Sequence, residues 1–153
     1  ALSSGELLNY TNVARESGVS AKVARGYFEI LEDTLLGFRL QPWRRRSMRR
    51  LIGCEKFYLF DVGVASFLAR RRPRIGTPEF GKAFEHYLAM EVRAYQSYAS
   101  PDLPLVYWRT SAGFEVELIL GDMAKRGVKL RFAMGEGMRW VGGADDRTQI
   151  GRI

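Results

Sequence analysis

The chain has 153 residues, of which 46% are hydrophobic and 27% charged. This length is enough for one ordinary domain or two small ones, and no stretch is long and apolar enough to cross a membrane. The first residues lack the basic start and the apolar run that are typical of a secretory signal peptide. The single cysteine, Cys54, excludes an internal disulfide and a cysteine-based metal cluster. We expect a cytoplasmic protein without a membrane partner, and a start at Ala1 suggests a piece of a longer chain.

The formal net charge is +7 at pH 7. An excess of basic residues favours a polyanionic partner such as nucleic acid. The alternative is a basic surface that is only solvated, and composition alone does not separate the two.

Residues 9–33 predict two helices joined by a tight turn. Gly18 can end the first helix in a left-handed conformation, and Ser20 can cap the second through its hydroxyl. The second helix is expected to place one apolar face against the protein, formed by Val23, Tyr27, Ile30, Leu31 and Thr34. A short helix, a glycine turn and an amphipathic helix are typical of a helix-turn-helix.

Two short strands are expected after the second helix, at residues 36–40 and 56–60. The connection between them is strongly basic and carries Arg44, Arg45, Arg46, Arg49 and Arg50. Two strands joined by a basic loop after a helix-turn-helix predict a wing, so residues 1–72 are interpreted as a winged helix-turn-helix domain. Asp61 is expected to cap a short helix that packs back on it.

The second part of the chain, residues 73–133, is expected to contain one long helix and three strands. Thr77 and Pro78 are typical of a helix start. The predicted buried stripe of this helix is Phe80, Phe84, Leu88, Val92 and Tyr95. Strands are expected at residues 105–108, 114–120 and 128–132, and residues 134–153 are interpreted as an irregular tail.

The winged helix supplies the candidate nucleic-acid-binding residues. Lys22 and Arg25, near the start of the second helix, are placed to reach base edges in a major groove. The five arginines of the connection are placed to contact phosphates, which would make binding fall with salt. Two observations oppose this interpretation: Glu29, Glu32 and Asp33 would repel phosphate, and winged helices also bind proteins.

Carboxylates supply a second candidate site. Glu85 lies in the long helix, and Glu115 and Glu117 lie two apart on one strand, so that they face the same side. Such a group can hold a divalent cation, and Lys129 on a neighbouring strand can steady an attacking water. The alternative is that this face of the sheet is only its solvent side. His86, the sole histidine, is interpreted as a surface or packing residue.

Several blocks of the sequence, in order, resemble a known family. They are LNYTNVARESGVS, YFEILEDTLLGFRL, KFYLFDVGVASFLA, GKAFEHYLAMEV and YWRTSAGFEVELIL. They resemble the C-terminal region of prokaryotic AAA-type ATPases, in which an ATPase module precedes a winged helix and a domain similar to PD-(D/E)xK nucleases. The resemblance implies an α+β fold: an N-terminal winged helix-turn-helix followed by a truncated restriction-endonuclease-like α/β domain. No phosphate-binding loop is found in the sequence, so we expect no ATP to bind here.

The resemblance also implies site residues. In such nucleases a helix glutamate, matched by Glu85, and a strand acid, matched by Glu117, hold Mg²⁺, while Lys129 matches the catalytic lysine. Gly127 stands where a second carboxylate belongs, so the implied site lacks one ligand.

Three functional hypotheses follow. The leading one is a non-catalytic fragment that binds DNA, or a partner, through its basic winged helix and needs no cofactor. The second is a Mg²⁺-dependent nuclease. The third is a protein-interaction or self-association module in which an open strand edge pairs with another chain.

Overall fold

The computed structural model describes residues 1–43, 54–99 and 101–121, with the backbone of residues 127–131 and 139–141. Much of the predicted tail lies outside this part of the chain. The predicted wing arginines also lie outside it: Arg44, Arg45, Arg46, Arg49 and Arg50.

The described residues form four helices. They are α1 (Tyr10–Ser17), α2 (Ala21–Asp33), α3 (Val62–Leu68) and α4 (Pro78–Ala99). Each predicted start is confirmed: Ser20 accepts the backbone N–H of Val23, Asp61 accepts that of Val64, and Thr77 accepts that of Phe80. Gly18 ends α1 with φ of 67°, the left-handed conformation that glycine adopts without a Cβ clash.

The described strands are β1 (Gly37–Pro42), β2 (Lys56–Leu59), β3 (Leu105–Arg109), β4 (Glu115–Gly121), β5 (Gly127–Arg131) and β6 (Arg139–Val141). They form one mixed sheet in the order β2-β1-β3-β4-β5-β6. Only the β1–β3 pair is parallel among these strands. With helices against the sheet, the described fold is α+β, as predicted. Strand β6 corrects the expectation of an irregular tail, because a three-residue strand leaves no readable period.

Strand β1 links the two parts of the sheet. Its first residues pair with β2, and its last two, Gln41 and Pro42, pair with β3. Phe38 and Leu40 of β1 pack with Tyr58 and with Ala89 of α4. On the opposite face Phe57 and Leu59 pack with helices α1, α2 and α3. The β1–β3 pairing therefore joins strands on the two sides of the boundary predicted near residue 73.

The buried face of α2 differs from the prediction. Ala24 is buried, and Phe28 and Leu31 pack on Phe57 and its neighbours. Val23, Tyr27 and Ile30, which were expected inside, are exposed. One residue of shift turns a helix by about 100°, and the edge-on contact of Phe28 with Phe57 at 4.8 Å decides the orientation.

The stripe predicted for α4 is confirmed only in part, because Phe84, Leu88 and Val92 are half-buried. His86 and Ala89 are its fully buried residues, whereas Phe80 and Tyr95 are exposed. Of the predicted stripe, Val92 packs against the core beside Ala89. The small Ala89 lets the helix approach the sheet closely. The polar residues Glu85 and His86 occupy places that a hydrophobic pattern assigns to apolar side chains.

The N-terminal segment covers the outer edge of β2. The backbone N–H of Gly5 donates to Phe57 at 2.8 Å, that of Leu8 donates to Glu55 at 2.7 Å, and Ser4 Oγ accepts from Leu59 N at 3.1 Å. This edge is therefore not open for pairing with another chain. Within the described part of the chain, none of the helices combines the length and apolar character that a membrane span requires.

Gly37 provides a test of the packing between β1 and β2. A Cβ at this position would lie 2.3 Å from the Phe57 ring and 2.7 Å from the Tyr58 carbonyl oxygen. We expect Gly37→Ala to lower the free energy of unfolding by about 1–3 kcal/mol through overpacking. Gly26→Ala is the matched control, because the space around Gly26 in α2 is open and alanine favours a helix. In urea unfolding, the control should raise the free energy of unfolding by about 0.5–1 kcal/mol. Equal effects of the two changes on the free energy of unfolding would contradict the packing described for Gly37.

Candidate functional site

The first turn of α2 presents two basic side chains to solvent. Lys22 and Arg25 are both exposed, and the Ser20 side chain caps the helix just before them. The free N–H groups of a helix N-terminus and its dipole add positive potential at the same place. The predicted location of these two residues, near the start of the second helix and away from the core, is confirmed.

An aromatic group fixes the position of α2 against α1 and the sheet. Phe28 meets the Tyr10 ring edge-on at 5.7 Å and the Phe57 ring at 4.8 Å. The Arg25 guanidinium lies over the Tyr10 ring, 4.9 Å from its centroid. Arg25 is thus oriented by a cation–π contact while it stays exposed.

A second set of contacts ties the C-terminal half of α2 to β1. Arg39 pairs with Glu32 and with Glu55, each at 3.3 Å. Tyr10 donates its hydroxyl to Glu55, and burial together with this carboxylate raises the pKa of Tyr10 to about 12. Arg39 is shared between Glu32 and Glu55, so it neutralises Glu32 in part, and this carboxylate opposes an approaching phosphate less than the sequence suggests. Glu29 and Asp33 remain exposed farther along the helix.

The second candidate site is a cluster of charged side chains around Lys56. Its ammonium lies 3.0 Å from Glu85 Oε1 and 2.7 Å from Glu115 Oε1. Tyr58 donates its hydroxyl to Glu85 Oε1 at 2.7 Å, and Arg109 pairs with Glu115 Oε2 at 3.2 Å. These five residues, which we call the Lys56 cluster, join β2, α4, β3 and β4. Lys56 is only 4% exposed, whereas Glu85, Glu115 and Arg109 are half-buried around it.

An irregularity in β4 brings Glu115 to this side of the sheet. Val106 pairs with Ile119 and Trp108 pairs with Val116, so that Glu117 and Leu118 together oppose the single residue Tyr107. An extra residue in one strand reverses which residues face a given side. Residues three apart in a regular strand face opposite sides. Because of the extra residue, Leu118 and Glu115 face the same side, with Leu118 in the core beneath α4. The alternative that Glu115 only lines the solvent side is wrong.

Protonation states in the cluster follow from its charges. Burial alone would lower the pKa of Lys56, but the carboxylates of Glu85 and Glu115 outweigh it, and the pKa lies above its usual value. Burial and the negative charge of Glu85 raise the pKa of Tyr58 well above its usual value. At neutral pH Lys56 is therefore charged, and Tyr58 is a hydrogen-bond donor.

The cluster lies beside a cavity of about 400 Å³. Residues 4–7 form one wall, and Lys82 and Arg109 contribute positive charge. Lys82 is paired with Glu6 at 2.5 Å. Positive and negative groups thus alternate around the cavity, and it has no excess of one sign that would select a simple ion.

The residues implied for a nuclease are only partly brought together. Glu85 belongs to the Lys56 cluster, and Glu117 is near enough for its charge to help raise the pKa of Tyr58. Lys129 pairs with Ile119 through its strand, but its side chain lies outside the described residues. In the described residues, His, Cys, Asp and Glu side chains form no group of three suited to a metal ion. Mg²⁺ does not fit between Glu85 and Glu115, because the Lys56 ammonium already occupies that space.

His86 is a packing residue, one of the two alternatives that the sequence left open. Its Nε2 lies 2.7 Å from the Leu59 carbonyl oxygen, which can only accept, so this nitrogen carries the proton. Burial lowers the pKa of His86 and favours the neutral ring. Sequence reasoning missed Lys56 and Arg109; the available signal was a lysine opening an otherwise apolar strand.

Replacing Lys56 by Met tests the cluster. The change leaves the half-buried carboxylate of Glu85 without a lysine partner and leaves Glu115 with Arg109 alone. We expect a loss of about 3 kcal/mol in the free energy of unfolding, at the lower end for a broken buried pair. Lys82→Met is the matched control, because it also removes a lysine–carboxylate pair at the cavity, but an exposed one. The control should cost no more than about 1 kcal/mol. Urea unfolding of both variants at pH 7 measures the difference, and similar losses would contradict the assignment.

The cluster also predicts a loss of stability in alkali. Lys56 and Tyr58 have higher pKa values folded than unfolded. Their contribution is therefore complete below their ordinary pKa values, about 10.4 and 10, and is lost as pH rises through the folded values. We expect the free energy of unfolding to fall above about pH 10, and to fall less steeply in Tyr58→Phe. A parallel decline in that variant would show that Tyr58 is not perturbed.

Comparison with known proteins supports only a limited assignment. A family model described as a domain of unknown function, DUF8612, matches residues 1–74. Uncharacterized protein Rv2008c of Mycobacterium tuberculosis and Uncharacterized protein Mb2031c of Mycobacterium bovis are each 29% identical over 117 residues, which is 74% of this chain. The matched part spans only 26% of the length of either relative. No solved structure is significantly similar to the chain.

Proposed function

We propose that this chain is a non-catalytic DNA-binding module, in which α1, α2, β1 and β2 act as a winged helix. The observation that carries the proposal is the arrangement of α2 and the β1–β2 pair. Exposed Lys22 and Arg25 stand at the start of α2, and α2 packs on the two strands whose connection carries five arginines. In this arrangement the first turn of α2 contacts a major groove and the connection contacts the flanking phosphates.

The distribution of charge along α2 supports this orientation. The basic residues Lys22 and Arg25 lie in its N-terminal half, where the helix dipole also favours phosphate. The exposed acids Glu29 and Asp33 lie farther along, and Glu32 is paired with Arg39. A helix that enters a groove by its N-terminal end keeps those acids away from the phosphates.

We also infer that α4 and strands β3 to β5 form the truncated nuclease-like part, and that it does not cleave nucleic acid. The support is Lys56, whose ammonium takes the place of a cation between Glu85 and Glu115. The resemblance supports a further part of the proposal: the module serves an AAA-type ATPase whose ATP-binding part lies elsewhere.

Fluorescence anisotropy with labelled duplex DNA tests the contribution of α2. We expect Lys22→Ala/Arg25→Ala to weaken binding at least tenfold and to reduce the slope of log affinity against log salt by up to about 1.8, or about 0.9 for each phosphate that is no longer neutralised. Arg72→Ala/Arg74→Ala is the matched control, because it removes the same charge from exposed arginines that lie outside α1, α2, β1, β2 and the β1–β2 connection. Equal weakening of DNA binding in both variants would show that only the net charge matters, and it would contradict a specific DNA-binding surface on α2.

The same titration tests the connection. A variant with all five arginines replaced by Ala should lose most of its salt dependence, while circular dichroism and thermal unfolding remain as in the unchanged protein. Retained binding with an unchanged salt slope would refute the role of the wing.

A further inference from the structure

Helix α2 carries an apolar stripe that no part of the described structure covers. Val23, Tyr27 and Ile30 are 43%, 58% and 56% exposed. Their spacing of four and three residues places them on one side of the helix, which we call the α2 stripe. That side is distinct from Ala24, Phe28 and Leu31, which face the sheet. Large apolar side chains grouped on a surface helix indicate contact with another molecule.

Leu35, just beyond the helix, is a further exposed apolar residue, and its backbone conformation does not favour a leucine. The helix ends in a Schellman arrangement, in which Leu36 N–H donates to Leu31 and Leu35 N–H donates to Glu32. Leu35 has a φ of 60°, a conformation usually taken by glycine, and it is 77% exposed. Glycine here would remove both the backbone strain and the exposed apolar surface. The leucine side chain is therefore better explained by contact outside the chain than by folding.

The charges beside the stripe indicate which molecule covers it. Lys22, Glu29 and Asp33 lie within about 40° of one another on a helical wheel, along one flank of the stripe. The basic residue is near the start of α2, and both acids are near its end. Two copies of such a helix packed antiparallel bring the same flank together in reverse order, so that Lys22 of each copy faces the acids of the other. The pattern is self-complementary.

We propose that the α2 stripe is a self-association surface, on which α2 of a second copy of this chain packs antiparallel across a two-fold axis. Tyr27, at the middle of the stripe, lies next to the axis and meets its own copy. Val23 then faces Ile30 of the other copy. A contact built on one helix is smaller than a standard interface, so we expect a dimer that dissociates on dilution. This dimer and the proposed DNA complex both use Lys22 on α2, so the two associations exclude each other at this residue. The inference is tested without DNA and stands or falls separately from the proposed function.

Sedimentation velocity over a range of protein concentrations is the first test. The unchanged chain should shift from monomer to dimer as concentration rises, and Tyr27→Asp should remain monomeric. Tyr98→Asp is the matched control, because Tyr98 is 88% exposed and lies at the far end of α4. It should associate like the unchanged chain. A monomer at every concentration, or equal weakening in both variants, would overturn the proposal and leave the stripe to a different protein.

An exchange of charges tests the antiparallel arrangement itself. Glu29→Lys/Asp33→Lys places basic residues against Lys22 of the other copy, and the dimer should weaken at least tenfold. Adding Lys22→Glu to the same chain restores opposite charges on both sides of the axis and should restore association. Failure of the triple variant to recover, with its fold intact by circular dichroism, would refute this geometry.

Crosslinking tests the position of the axis. In a Cys54→Ser background, Tyr27→Cys should form an intermolecular disulfide under mild oxidation, because the two copies of residue 27 meet. Tyr98→Cys in the same background should not. The reverse pattern would place the contact elsewhere.

Discussion

The buried ammonium of Lys56 is the interaction on which the two parts of this structure depend. It stands on β2, in the N-terminal part of the chain, and both of its carboxylate partners come from the C-terminal part: Glu85 on α4 and Glu115 on β4. A charge in the interior is tolerated only when it is paired. The sequence positions of these three residues are far apart, so the ion pairs hold only if β1 pairs with β3 and α4 lies across both. The Lys56 cluster thus ties β2 to α4 and β4, which come from the other part of the chain.

The same cluster distinguishes the two candidate sites by whether their charged side chains are paired or exposed. Acidic residues that would have to be free to hold a metal ion are instead paired with Lys56 and Arg109. The opposite side of β1 and β2 carries α1 and α2, with Lys22 and Arg25 exposed and Glu32 paired with Arg39. A chain arranged in this way stabilises its fold with one set of charges and leaves another set available to a partner. The proposed binding function rests on this division.

Much of the fold could be predicted from the sequence, and the limits have physical causes. Gly18, Ser20, Asp61 and Thr77 fix helix ends through local hydrogen bonds, so residues a few positions apart suffice to place them. Burial is not local: Phe28 rather than Tyr27 faces the sheet because Phe57 lies opposite, and no period in α2 reveals that. The Lys56 cluster was only partly predictable, because its residues also meet through contacts that are distant in the sequence. Glu85 and Glu115 were recognised as candidates, but Lys56 joins them through a strand pairing and a bulge in β4, and neither is visible along the sequence.

Hydrogen–deuterium exchange with and without duplex DNA would test most directly which side of the molecule binds. If the winged helix binds DNA, the duplex should slow exchange in the first turn of α2, around Lys22 and Arg25, and in the β1–β2 connection at residues 43–55. Exchange near Glu85 and in β4 should be unchanged. Protection near Glu85 and in β4, with none in α2, would contradict binding through α2 and the β1–β2 connection and would place the nucleic-acid site at α4 and β4.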